Sequence, residues 1–307
     1  MEPPPLVLAL LLLGLAVLAV GLAGCLAGVL HVTGHLYNRG SDFFGAGTFE
    51  KLTAHRVRRV SCTMSVPRIL LFDTETNGLP KNKNAPHTMP EAWPAILQLS
   101  WEIYTVQGSG RGLQLESKRD HILALHPSIP WDAGAAAIHG ITEEACRQGT
   151  PAATALLEFA DILRSVDIVI AHNLGFDKPV VRAAAYAESM RTTDSDVATR
   201  LRQLWPSTAQ DFCTMRETRD LVCIPSPYYT ANPHLKRDPN ANVWKMPRLN
   251  ELYEWIYGHP YDIQGESMHN SRYDTHCLSR CVEGLLRKGY AQITGKRLGI
   301  TIANAAK

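Results

Sequence analysis

The stretch Arg68-Ile-Leu-Leu-Phe-Asp-Thr-Glu-Thr-Asn-Gly-Leu79 decides the fold. Its first half is a short apolar run, as a buried strand requires, and the turn pair Asn77-Gly78 closes it off. Between them stand Asp73 and Glu75. In an extended chain the side chains at i and i+2 share a face, so both carboxylates converge on one point at the strand end. Carboxylates that close repel each other unless a proton or a cation separates them. Hard divalent ions such as magnesium favour oxygen ligands of this kind. A D-x-E on its own also suits two solvated turn acids, so its meaning depends on what surrounds it.

Outward from this strand, residues 96–106 and 121–125 read as two more strands. Residues 151–164 form a helix with proline at its start. Residues 167–171 are a buried strand and 177–190 a second helix. Residues 248–257 and 271–287 close the domain as helices, the latter stopped by Gly289. Three strands followed by alternating helix and strand predict an α/β domain with a mixed sheet, spanning residues 67–290 and leaving 291–307 as a C-terminal tail.

Two further acidic positions fall at element ends. Asp177 stands in Ala171-His-Asn-Leu-Gly-Phe-Asp177, just past the second buried strand and one turn into a helix. There an acid also serves the helix dipole. Asp274 stands in Met268-His-Asn-Ser-Arg-Tyr-Asp274-Thr-His-Cys277, one turn before the apolar side made by Cys277, Leu278, Cys281, Val282 and Leu285. A carboxylate turned toward that side needs a partner, and a metal would serve. His269 lies just upstream, near enough to reach the same centre.

Singly, each of these acids has an ordinary structural explanation. Together, in this order and at domain-like separations, they form a pattern. D-x-E, H-N-x-x-F-D and H-x4-D resemble the three motifs of the DnaQ-like, DEDDh 3′→5′ exonucleases. That family includes the proofreading subunit of bacterial DNA polymerase III, ribonuclease T, oligoribonuclease and the three-prime repair exonucleases. Ala137-Ile-His-Gly-Ile-Thr-Glu143 and Cys213-Thr-Met-Arg216 are similar to secondary blocks of the same family. The resemblance implies a ribonuclease-H-like fold in which Asp73, Glu75, Asp177 and Asp274 hold two magnesium ions, with manganese as a substitute. It also implies His269 as the general base. Thr74, Gly78, Leu79, Ile138, His139, Asn173 and Phe176 are the implied contacts for the terminal nucleotide. Asn77 departs from the threonine that many relatives carry.

Chemistry of this kind would be a two-metal hydrolysis, with ions about 3.5–4 Å apart flanking the attacking and leaving oxygens. An imidazole is largely neutral at physiological pH, as a base must be. The expected partner is the 3′ end of single-stranded or frayed nucleic acid, DNA somewhat before RNA, with Trp93, Phe176 and Tyr228 as candidates for base stacking. Residues 225–247 form a proline-rich insertion, either a solvated loop or a guide for the strand through Lys236, Arg237 and Lys245. The rival readings are an RNA-trimming exoribonuclease, a catalytically inactive nucleic-acid-binding module of the same fold, and a thiol hydrolase built on Cys213 or Cys277. No cysteine motif supports the last, and no polymerase or repair partner can be read from the chain.

Composition bounds the rest. The 307 residues are 45% hydrophobic and 20% charged, which is globular rather than disordered. A formal net charge of +2 is too small to attract nucleic acid in bulk, so any basic surface must be local. The 7 cysteines include no C-x-x-C pair, which argues against a disulfide framework or a zinc finger and for reduced, buried thiols. Residues 6–30 are an uncharged apolar run, long enough for a transmembrane helix, with a linker at 31–66. A cleaved signal peptide or a lipoprotein signal would want a basic start that is missing here, and a mitochondrial presequence would be arginine-rich and amphipathic, which this run is not. Arginine and lysine follow the run and none precede it. The expected arrangement is therefore a membrane-anchored protein with a cytoplasmic catalytic domain. A soluble or organellar protein, produced by processing, is the alternative.

Overall fold

The computed structural model describes residues 66–301 apart from 109, 207, 233, 235–242 and 263–268. The apolar run 6–30, most of the linker, Lys236, Arg237 and the last residues of the tail lie outside the described residues. Among the described residues no helix is long and apolar enough to cross a membrane.

Strand β1, Arg68–Thr76, is the centre of the sheet. It runs four residues beyond the apolar stretch, so Asp73 and Glu75 lie within the strand rather than after it. Pairing causes the extension: antiparallel β2, Ile96–Gln107, continues opposite it through Asp73↔Ser100, Thr74↔Leu99 and Glu75↔Gln98, and the register breaks only between Glu75 and Thr76. On the other side β4, Ile168–Ala171, runs parallel to β1 but pairs only with Ile69 to Leu71. Beyond Leu71, β1 has lost its neighbour on that side, and a cleft opens past the carboxyl ends of β1 and β4.

The outer strands are β3, Gly112–Ile122, antiparallel to β2, and β5, Gln210–Cys213, parallel to β4. The order β3-β2-β1-β4-β5, mixed and flanked by helices, fits the ribonuclease-H-like arrangement. The sequence places the third strand at 121–125, whereas the structure runs it from Gly112. That edge strand is largely exposed and polar, so it lacks the apolar signal.

Alternation along β1 sorts the core into two layers. Leu70 and Phe72 pack with Phe159, Val180 and Val181 from helices α1, Ala152–Leu163, and α2, Leu174–Arg191. Ile69 and Leu71 pack with Leu252, Ile256, Leu278 and Val282 from α3, Leu249–Tyr257, and α4, Ser271–Arg287. By the same parity, Thr74 belongs to the α2 side and Asp73 and Glu75 to the α4 side.

Residues 291–301, expected as the start of a tail, instead form a hairpin of β6, Ala291–Thr294, and β7, Arg297–Ile300. Ala291 and Leu298 are buried in the α4-side core. The Gln210 side chain both donates to Leu298 O (2.9 Å) and accepts from Leu298 N (2.8 Å), standing in for a strand residue where the hairpin meets β5. Cys146, Cys213, Cys277 and Cys281 are buried and Cys223 half-buried, all as free thiols.

Candidate active site

Parity in β1 explains which acids meet. Asp73 and Glu75 face α4, and carboxylate oxygens of Asp73, Glu75 and Asp274 lie within 4.8 Å of one another. Thr74 faces α2, where its hydroxyl donates to Asp177 Oδ1 at 2.8 Å. Asp177 is therefore fixed from the opposite layer, yet close enough for its charge to act on Asp73 and Glu75.

Burial pushes all four carboxyls up, and repulsion from the neighbouring acids adds to it for Asp73, Glu75 and Asp177. Asp73 is raised well above its ordinary range by burial and then by Asp177, Asp274 and Glu75. Glu75 is carried to about 8 by burial and by Asp274 and Asp177. Asp177 reaches about 7 through burial, against the opposing hydrogen bond from Thr74. Asp274 reaches about 6 through burial, moderated by His269. Among the described residues no lysine or arginine forms an ion pair with any of the four. Asp274 Oδ1 is buried without a hydrogen-bond partner. Oxygen donors that repel one another, one of them orphaned, fit a divalent cation.

The backbone around the site is locally held in uncommon conformations. Asn173, at the turn from β4 into α2, has φ +80°, and His269, just before α4, has φ +70°. Asparagine tolerates this region better than most residues, whereas histidine is held there at a cost of about 1 kcal/mol or more. The His269 N–H donates to Asp274 Oδ2 at 3.1 Å, tying that conformation to the carboxylate. The His269 side chain is exposed and lines the cleft.

The cleft has a volume of about 900 Å³. Thr74, Gly78, Leu79, Ile138, His139, Asn173 and Phe176 all line it together with the four acids. Leu79 and Ile138 stand 84% and 60% exposed, apolar side chains offered to whatever enters. Gly78 has φ +145°, a conformation L side chains rarely adopt. Asn77 pins that turn, its Oδ1 accepting from Ala95 N at 2.7 Å. His139 is buried rather than presented: its Nδ1 accepts from Ile141 N at 3.0 Å, and burial with the nearby His269 lowers its pKa.

Three of the expected contacts are placed otherwise than the sequence suggests. Trp93 is buried in the α2-side core and does not line the cleft, so it is not a stacking surface. Tyr228 is exposed on the short helix Pro227–Ala231 but also lies off the cleft. Lys245 is not a free cation for a strand to follow, because its ammonium is paired with Glu251 at 2.5 Å.

Sequence reasoning missed the struts. Gln98 and Ser100 sit opposite Glu75 and Asp73 on β2. Gln98 Oε1 accepts from Ser271 N at 3.1 Å, and the Ser100 and Ser271 hydroxyls lie 2.6 Å apart. These contacts fix the start of α4, and hence Asp274, against the sheet. Polar residues at i and i+2 inside Ile96-Leu-Gln-Leu-Ser-Trp101 were the available signal. His172 was missed as well. Its Nε2 donates to Pro247 O at 3.0 Å and its Nδ1 lies 2.9 Å from Thr214 Oγ1, while burial lowers its pKa to about 4.

No protein-family description and no curated protein sequence matches this chain. Solved structures of E. coli Exonuclease I are similar to it. The complex of that enzyme with a dA16 oligonucleotide is 16% identical, with a TM-score of 0.47 over 73% of this chain and 43% of the other. The zinc-bound complex with single-stranded DNA is 17% identical, at 0.48 over 73% and 41%. The complex with a dT13 oligonucleotide is 15% identical, at 0.48 over 71% and 41%. The matched region thus spans about two fifths of the length of Exonuclease I.

Proposed function

We propose that this chain is a divalent-metal-dependent 3′→5′ exonuclease that shortens single-stranded or frayed nucleic acid, DNA in preference to RNA, to 5′-mononucleotides. The observation that carries this reading is the convergence of Asp73, Glu75 and Asp274 within 4.8 Å, beside Asp177, in one open cleft. The sequence pattern that joins these acids to His269 supports it.

Asp73, Glu75, Asp177 and Asp274 would hold two magnesium ions, or manganese in their place. When bound, such cations stabilise negative charge on the attacking and leaving oxygens of an in-line displacement. The chain's own groups do the rest. Thr74 orients Asp177, and the His269 N–H orients Asp274. His269, on the exposed rim, takes the proton of the attacking water. Leu79, Ile138 and Phe176 pack against the terminal nucleotide, and Gly78 and Asn173 let the backbone approach it. The 3′-oxygen of the penultimate nucleotide leaves, so the terminal nucleotide departs with its 5′-phosphate. A paired terminus cannot deliver its phosphate to these acids without fraying. Residues 6–30 are proposed to anchor the enzyme in a membrane with the catalytic domain on the cytoplasmic side.

The test is an assay on matched single-stranded DNA, single-stranded RNA and blunt duplex in magnesium. Stepwise shortening from the 3′ end, fastest on single-stranded DNA and slowest on the duplex, is expected. Shortening from the 5′ end, or internal cleavage, would refute the assignment.

A further inference from the structure

The insertion contributes a wall to the cleft, and that wall is fixed. Trp244 bridges to Pro225, Lys245 N donates to Ile224 O at 2.9 Å, and Ser226 N donates to Val243 O at 2.8 Å. The Lys245–Glu251 ion pair holds the segment from one side. From the other side His172 holds the Pro247 carbonyl. A carbonyl only accepts, so Nε2 carries a proton and donates it, while Nδ1 lies 2.9 Å from Thr214 Oγ1. Met246 lies between these two pinned residues. It is 39% exposed and lines the cleft that holds the acids.

A single exposed methionine is ordinary, but one held on a strap fastened at both sides and grouped with other apolar side chains in one cleft marks a surface that something covers. Leu79 and Ile138 put two more exposed apolar side chains on the same cleft, from different parts of the chain. We propose that Met246 is a substrate contact, packing on the unpaired base at the 3′ end, and that His172 is a positioning residue acting through Pro247. This rests on the exonuclease reading. The occupant follows from the cleft's two characters: a phosphate directed to the acids and a flat apolar face directed to methionine, whose flexible, polarisable thioether suits any base. Contact of this kind selects for an unpaired end without selecting among bases.

The full-length protein is assayed in magnesium on a single-stranded oligonucleotide, comparing wild type with Met246→Ala and Met246→Leu. Loss of a base contact is expected to raise KM about tenfold with a much smaller effect on kcat. Met246→Leu, of similar volume, should restore most of it. His172→Phe and Lys245→Ala, each of which frees one side of the strap, should raise KM in the wild-type background and have little effect once Met246 is alanine. An unaltered KM in Met246→Ala overturns the inference, as does equal failure of Met246→Leu. Fully additive effects of His172→Phe or Lys245→Ala overturn the role of the strap. A wild-type protein that leaves every oligonucleotide intact would instead remove the exonuclease reading, and this inference with it.

Discussion

Stripped of metal by EDTA, the protein should lose stability as the pH rises from about 5 to about 8. Folding raises the carboxyl pKa of Asp73, and carries Glu75 to about 8, Asp177 to about 7 and Asp274 to about 6. A carboxyl raised by folding binds its proton more tightly in the folded state. Its contribution is intact below its unfolded value and lost as the pH climbs to the folded one. The loss therefore begins above the ordinary values of 3.8 and 4.5 and continues as the pH rises through about 8. One unit corresponds to about 1.4 kcal/mol, so Glu75 alone would account for on the order of 5 kcal/mol without solvent. Water in the open cleft screens much of this, leaving a net loss of roughly 3 kcal/mol. At about 2–4 °C per kcal/mol for a domain of this size, Tm should fall by roughly 10 °C. Thermal unfolding followed by circular dichroism across this pH range measures it. Magnesium should abolish most of the fall, and Asp274→Asn in EDTA should flatten it. A Tm that stays level or rises with pH in EDTA would refute the electrostatic account of the site.

The other predictions concern catalysis, packing and location. His269→Ala should slow turnover by on the order of 10²–10⁴ while magnesium still protects the fold against heat; a wild-type rate would assign the proton transfer elsewhere. Gly284→Ala should destabilise by about 1–3 kcal/mol in urea unfolding, because a Cβ there would lie 2.5 Å from Ile256 Cγ2 and 2.8 Å from the Tyr257 hydroxyl, where α3 meets α4. The full-length protein should stay in the membrane fraction through high-salt and alkaline washes, whereas residues 64–307 should be soluble without detergent and match its rate per molecule. Release by alkaline wash would make the N-terminal run a processed or peripheral segment.

The parts of the fold written as apolar pattern were legible in the sequence. The runs that become β1, β2 and β4, and the helices α1, α3 and α4, each carry a buried face that reads at a period of two or of about 3.6. The acids stood out because a carboxylate beside such a face needs a reason to be there. What escaped was structure held by polar or backbone contacts. Edge strand β3 is mostly exposed, so its residues alternate in no way that a core would impose. The β6–β7 hairpin is too short to show a pattern. The strap carrying Met246 depends on a histidine that meets Pro247 75 positions away in the chain. Trp93 and Tyr228 looked like stacking surfaces because an aromatic residue near a motif says nothing about which way it points; burial settles that for Trp93 and position for Tyr228.

The central claim is that these four carboxylates make the chain a metal-dependent exonuclease. The measurement that tests it most directly follows a 5′-labelled single-stranded oligonucleotide on incubation with wild type, Asp73→Ala and Asp274→Ala, each with magnesium and with EDTA. A ladder shortened one nucleotide at a time from the 3′ end, with 5′-mononucleotides released, is expected only for wild type in magnesium. Both variants should remain folded and leave the oligonucleotide intact. Shortening by wild type that proceeds undiminished in EDTA, or by either variant at the wild-type rate, would contradict it.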